Sequence, residues 1–280
     1  MKLVRYGAFG SEKPGLIDKD GKLRDLSGQV KDLADDAFAP ANLAKLAALD
    51  PASLPAVSDS PRIGSPVGGK PKFIAIGLNY ADHAAESGML IPSEPIVFMK
   101  ALNSLCGPND DVEKPRGSTK LDWEVELAIV IGTKAKYVTE ADALKYVAGY
   151  SVCNDVSERF FQIERGGQWT KGKSHDTFGP LGPWLVTPDE VGDVHKLSMY
   201  LDVNGKRCQT GSTATMIFNV PQIVSYLSGM MTLMPGDIIT TGTPPGVGLG
   251  MKPPKFLEVG DVMTLGIEKL GEQKQKVVAA

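Results

Sequence analysis

Cysteine and histidine are scarce in this 280-residue chain, with three of each. Cys106, Cys153 and Cys208 are odd in number, lie far apart and form no CxxC pair, so neither a disulfide framework nor a thiolate metal site is indicated. Basic charge is not in excess. The formal net charge is −3, which offers no positive field to nucleic acid or an anionic membrane. A membrane span is missing too. Residues 208–236 carry no charged side chain, yet Gln209, Asn219, Pro221, Gln222 and several Ser and Thr make them too polar for lipid. The opening MKLVRYGAFG has neither the apolar core nor the cleavage site of a secretory leader, and the expected location is cytoplasmic. What remains is 42% hydrophobic and 22% charged, the balance of a soluble globular protein.

The chain is long for one small domain and short for two large ones. Its first part alternates strand-like runs with turns: KLVRYGAF, then GLIDKDGKLRDL with a hairpin turn at Asp20-Gly21. ANLAKLAALD reads as a short helix. Five prolines and three glycines between Pro51 and Lys72 mark a linker. The expected division is a small N-terminal domain, 1–64, and a main domain, 65–280. In the main domain KFIAIGL, PIVFMK, WEVELAIVIG, KLSMYLDV, DIITTG and DVMTLGIEKL are strand candidates, and Asn204-Gly205 signals a type I′ hairpin. Helices are few and short. Thr139, with Asp142 in the capping-box position, can cap TEADALKYVAG, with Gly149 past its end. Asn219 can cap NVPQIVSYLSG, which puts Val220, Ile223, Val224 and Leu227 on one face. Strands do not alternate with long helices, which excludes a doubly wound sheet and predicts a β-rich α+β fold.

The chemistry concentrates in LDWEVELAIVIG, residues 121–132. Read with period two, Trp123, Val125, Leu127, Ile129 and Ile131 form one apolar face. The opposite face begins with Asp122, Glu124 and Glu126 and ends with Ala128 and Val130. Stacked like charges repel, so something positive is expected against them. A third acid, Asp155, follows the apolar run GYSVCN and precedes the helix-like SERFFQIERGG. If Glu124, Glu126 and Asp155 converge at ~4 Å and an effective dielectric of ~20, each pair costs roughly 4 kcal/mol and three pairs about 12. A bound divalent cation removes that cost. Oxygen ligands and few histidines favour Mg²⁺, Mn²⁺ or Ca²⁺ over Zn²⁺. Acids solvated on an edge strand would explain the same pattern without any metal.

Other groups fit around this core. Lys171 and Lys173 in WTKGKSHD could bring a metal site close to neutral. His83 and Glu86 are three apart and would share a helix face, as a general base held by a carboxylate or as a surface pair. On a helix beginning near Asp155, Arg159 and Gln162 share a face and could take a substrate carboxylate, or simply be solvated. Thr243, in TGTPPGVGLG after the strand DIIT, lies either at the site mouth or in a plain Pro-Gly turn. GQWTKGKS, residues 167–174, matches GxxxxGK[ST] in full. That motif needs a strand before it and a helix after it; HDTFGPLGPW cannot start a helix, so nucleotide binding is discounted.

Together AIGLNYADHAAESG, PIVFMK, LDWEVELAIVIG, GYSVCNDVSERFFQ, KSHDTFGPLGPWLV, MIFNVPQIVSYLS and GDIITTGTPPGVG resemble the fumarylacetoacetate hydrolase superfamily, from about residue 65 to the end. The resemblance implies a main domain of mixed β-rolls around an Mg²⁺ or Mn²⁺ site, usually in a homodimer. By position it implies that Glu124, Glu126 and Asp155 are the metal ligands and Lys173 the active-site lysine. Arg159, Gln162 and Thr243 match substrate-contacting positions. His83 and Glu86 match the dyad that activates water in hydrolytic members. Leu78 departs from the arginine that some acylpyruvate-cleaving members carry in a GRNYADH segment. The N-terminal stretch, with IGLNYADHAAESGM, is similar to bacterial enzymes acting on 2,4-diketo-3-deoxy sugar acids, relatives of which often go by the name ureidoglycolate lyase. The implied reaction hydrolyses the C3–C4 bond of a 2,4-diketo acid to a 2-oxo acid and a carboxylate. Oxaloacetate decarboxylation, a ureidoglycolate lyase reaction and non-catalytic binding of keto acids are the alternatives.

Overall fold

The computed structural model describes residues 1–82 and 90–280. The structure is built on the strand Val125–Ile131, in which every residue is buried. Period two decides what each side touches. Val125, Leu127, Ile129 and Ile131 enter one apolar cluster with Val152, Leu201 and Leu265, and Trp123 joins them. Ala128 and Val130 enter a second cluster with Leu3, Leu185 and Phe73. The strand therefore runs between two cores, and burial of each large aliphatic side chain contributes about 1.5–3 kcal/mol.

Among the described residues the main sheet has eleven strands. Val125–Ile131 pairs antiparallel with Val147–Asn154 on one side and with Ile238–Thr240 on the other. Phe73–Gly77 and Ile96–Lys100 extend the second side, and Gly179–Val186 extends the first. A second sheet of five strands, including Ser198–Val203, Val262–Ile267 and Gly271–Ala279, supplies residues to the first core. This is a mostly β, mixed α+β architecture, as the patterning predicts. The N-terminal strand Lys2–Tyr6 pairs with Gly179–Val186, Lys2 opposite Val186, so residues 1–64 continue the main sheet at that edge.

Local signals hold where backbone chemistry alone decides. Asn204 and Gly205 both have positive φ, 51° and 74°, as a type I′ turn requires. The helix Val220–Met230 buries Val220, Ile223, Val224 and Leu227. Its capping box is complete: Asn219 Oδ1 accepts from Gln222 N at 3.0 Å and Gln222 Oε1 from Asn219 N at 2.9 Å. Asn219→Ala is expected to destabilise the protein by about 1 kcal/mol, measurable as a shifted urea midpoint with an unchanged m-value. No helix of the described residues is long and apolar enough to cross a membrane.

Two segments differ from expectation, and a third, for which only a helix was excluded, is a strand. TEADALKYVAG forms one 3₁₀ turn, Ala143–Tyr146, and not a longer helix. Thr139 Oγ1 does donate to Asp142 Oδ2 at 3.0 Å, but the chain then enters the strand Val147–Asn154. Gly149 is no helix stop. It lies opposite Val130, and a Cβ there would stand 2.5 Å from the Val186 carbonyl oxygen. Pairing on both edges overrides local helix preference at this point. SERFFQIERGG gives a short strand, Ser157–Glu158, and then a single π-helical turn, Phe160–Glu164. The proline- and glycine-rich Gly179–Val186 is a strand, with a register shift opposite Tyr150–Val152 that accommodates its missing donors.

Candidate metal centre and active site

Regular pairing breaks off at Trp123 and Glu124, and side chains take over the backbone there. Glu124 N donates to Asn154 Oδ1 at 3.1 Å and Val125 N to Gln209 Oε1 at 3.0 Å. Asp155 N donates to the Glu124 carbonyl at 2.9 Å, which ties the two acid-bearing segments together. Trp123 is fully buried and donates from Nε1 to the Gly246 carbonyl. The backbone beneath the acids is thus held from both sides.

Glu124, Glu126 and Asp155 converge, each offering a carboxylate oxygen within 4.8 Å of the others. They are only 6%, 1% and 1% exposed, so solvation on an edge strand does not describe them. The expected positive charge is present. Lys173 Nζ donates to Glu124 Oε2 and to Asp155 Oδ2, both at 2.7 Å. Arg159 bridges the first two acids of the stretch 121–132, with Nε 2.8 Å from Asp122 Oδ2 and Nη2 2.6 Å from Glu124 Oε1. Its Nη1 donates to Gln162 Oε1 at 3.0 Å.

These contacts divide the acids into two electrostatic classes. Burial pushes the Glu124 carboxyl up, but Lys173 and Arg159 more than offset it and hold the group well below the usual carboxylate range. Glu126 goes the other way: burial, then repulsion by Asp155 and Glu124, raises it well above that range. Among the described residues no cation lies within ion-pair distance of Glu126, and its hydrogen bond comes from Gly242 N at 2.9 Å. Lys173 is driven down by burial, yet Asp155 and Glu124 raise it overall, so it stays protonated. Counted as ionised, four carboxylates (with Asp122) face Arg159, Lys173 and Lys100. One negative charge is left, on the acid without a cation. A hard divalent ion fits this all-oxygen, anionic donor set.

The cluster opens on a cavity of about 600 Å³, which Arg159, Gln162, Lys173 and Thr243 also line. Thr243 is largely committed internally: its hydroxyl donates to the Val125 carbonyl at 2.9 Å and accepts from Gln209 Nε2 at 2.8 Å. His83 and Glu86 lie outside the described residues. In GQWTKGKS only Thr170–Lys173 is helical, a single turn with no strand leading into it, and Lys173 is turned into the acids. Lys171 instead donates to the Arg165 carbonyl at 2.8 Å. The strand and helix that a phosphate-binding loop needs are not there.

Lys100 was not singled out from the sequence, and Asp122 was singled out only as one of the stacked acids. Lys100, at the end of the strand Ile96–Lys100, is 2% exposed and donates to Asp155 Oδ1 at 2.6 Å and to the Lys173 carbonyl. A lysine closing an otherwise apolar run was its one visible signal. Asp122 holds Arg159 and also accepts from Gly248 N at 2.6 Å and Leu249 N at 3.0 Å. It anchors a loop and is not one of the three converging acids.

Comparison with known proteins shows the family. The family model for the fumarylacetoacetate (FAA) hydrolase C-terminal domain matches residues 72–278. A Burkholderia multivorans protein, provisionally named a hydrolase, is 63% identical over 281 residues, covering 100% of both chains. The solved fumarylacetoacetate hydrolase of Exiguobacterium antarcticum is 36% identical with a TM-score of 0.87 over 100% of both chains. Maleylpyruvate hydrolase from Sphingobium sp. SYK-6, solved with manganese(II) and pyruvate, is 30% identical with a TM-score of 0.81, again over 100% of both chains. With the matched region spanning the acids, the lysine and the greater part of both sheets, the chain belongs to the fumarylacetoacetate hydrolase family.

Proposed function

We propose that the protein is a divalent-metal-dependent hydrolase that cleaves the C3–C4 bond of a 2,4-diketo acid, giving a 2-oxo acid and a carboxylate. The observation that carries this reading is the buried cluster Glu124, Glu126 and Asp155, with no cation among the described residues paired to Glu126, at the wall of a cavity that also presents Arg159 and Lys173. Glu124, Glu126 and Asp155 would hold Mg²⁺ or Mn²⁺. Such an ion supplies Lewis-acid polarisation of the 2-oxo acid head and neutralises charge developing on it. A divalent ion turns the site's single negative charge into a single positive one, and a monoanionic head then balances it. The manganese(II) and pyruvate in the solved maleylpyruvate hydrolase support the same pairing of ion and head.

The chain's own groups divide the remaining work. Three of the five Arg159 N–H groups are committed to Asp122, Glu124 and Gln162. The others, with the Gln162 amide, orient the substrate carboxylate. Lys173, kept protonated by its two acids, donates to the oxygen on which enolate charge develops. His83, steadied by Glu86, takes a proton from the water that adds to C4. C3–C4 then breaks, C4 leaves as the carboxylate, and C3 regains a proton.

His83→Ala is expected to slow hydrolysis of a 2,4-diketo acid by about 10²–10⁴. Decarboxylation of oxaloacetate, which needs no water, should fall much less, and competitive inhibition by oxalate should survive. The measurement is both rates and the oxalate inhibition constant, with Mg²⁺, Mn²⁺ or EDTA, in wild type and variant. Hydrolysis persisting in EDTA, or no turnover across a panel of 2,4-diketo acids, would refute the proposal. Oxalate binding lost together with hydrolysis would make His83 a substrate-holding residue and not the base.

A further inference from the structure

Resting on that reading of the head-binding end, we infer that the substrate beyond C4 is an uncharged hydrocarbon chain or ring, and neither a polyhydroxylated nor a carboxylated tail. The cavity, at about 600 Å³, is of the size that receives ligands much larger than a three-carbon head. Past the acids, Arg159, Lys173 and Gln162, its lining is chiefly apolar: Phe98, Ile163, Trp169, Val247, Leu249 and Met251. Among the described residues Thr243 is the one side-chain hydroxyl there, and it is already bonded on both sides. A polyol buried among these residues would leave hydroxyls without partners, at a cost of about 1–3 kcal/mol each. Among the described residues Lys252 is the one further charged side chain of the lining, and it is exposed to solvent.

The apolar wall is open yet held in place. Ile163 is 49% and Leu249 38% exposed, so large apolar side chains stand uncovered at the cavity. Asp122 fixes Leu249 through its backbone N–H at 3.0 Å while gripping Arg159 at 2.8 Å, so head contact and apolar wall share one anchor. Trp169 packs edge-on against Phe98, ring centroids 5.4 Å apart. Gly77 makes room for it, since any Cβ there would run into the indole. A wall built this way is preorganised for an apolar group.

The test uses two series sharing one head and differing in tail: methyl to hexyl, phenyl, a polyhydroxylated chain and an ω-carboxylate. The 2,4-dioxo acids report kcat/KM. N-substituted oxamates, which keep the carboxylate and adjacent carbonyl but lack the cleavable bond, report affinity by calorimetry with Mn²⁺. Each methylene that enters the cavity is expected to raise kcat/KM and oxamate affinity roughly fourfold, with the polyol and the ω-carboxylate below the alkyl chain of equal length. Leu249→Ser should flatten the dependence on tail length. A polyol or ω-carboxylate favoured over the equal-length alkyl tail overturns the inference, and so does an ω-carboxylate preference abolished by Lys252→Ala. If no dioxo acid is cleaved but oxamate affinity still climbs with alkyl length, the tail inference stands and the hydrolase reading fails. If turnover occurs without any length dependence, the reverse holds.

Discussion

Replacing Glu126 by alanine is expected to abolish binding of Mg²⁺ and Mn²⁺ in the physiological range and to abolish turnover with it. Two remaining carboxylates would have to hold a hard cation, and both are already paired. Glu124 faces Lys173 and Arg159, and Asp155 faces Lys173 and Lys100. Glu126 is the acid whose charge no described residue neutralises, so it gains most from the ion. Its removal also relieves repulsion on Asp155 and Glu124 in the metal-free protein. Glu126→Ala should therefore be no less stable than wild type without metal, but should lack the rise in melting temperature expected of the wild type on adding Mg²⁺. Glu124→Ala should lose metal and activity too, but be destabilised, because it leaves Lys173 and Arg159 each short of a buried partner. Calorimetry and thermal melts with and without Mg²⁺ check both. Unchanged Mg²⁺ affinity in Glu126→Ala would remove the residue from the ligand set.

The second large effect is expected at Lys173. Methionine there keeps much of the side-chain volume but leaves Glu124 and Asp155, both buried, facing one another without the ammonium that separates them. Breaking a buried ion pair from one side typically costs about 3–5 kcal/mol, and that is the expected loss of stability in EDTA. Added Mg²⁺ should recover part of it, since the ion supplies positive charge to the same two carboxylates. Turnover should not recover if Lys173 is, as proposed, the donor to the developing enolate. Urea denaturation in EDTA and in Mg²⁺, beside kcat, separates the two roles. A Lys173→Met protein as stable as wild type in EDTA would show that Lys100 and Arg159 suffice for the acids. Recovered kcat in Mg²⁺ would show that the lysine is structural.

The helix Val220–Met230 and the turn at Asn204-Gly205 were legible in the chain because caps and positive φ are chemistry within four residues. The alternation from Trp123 to Ile131 was legible for a similar reason: strand geometry sends neighbours to opposite faces whatever lies beyond. The sequence also led to Glu124, Glu126, Asp155 and Lys173, through acids on one face and seven resembling stretches. The tertiary structure decided what those acids meet. Lys100 reaches Asp155 across 55 positions of chain and Arg159 reaches Glu124 across 35, and no local pattern announces a partner at such distance. Only in the folded chain does Asp122 become the anchor of Arg159 and Leu249. Gly149 shows the same limit from the other side. As a local signal it ends a helix, but it lies in a strand because the Val186 carbonyl crosses where its side chain would be. Backbone preference amounts to tenths of a kilocalorie per residue, and two-sided sheet pairing and burial outweigh it.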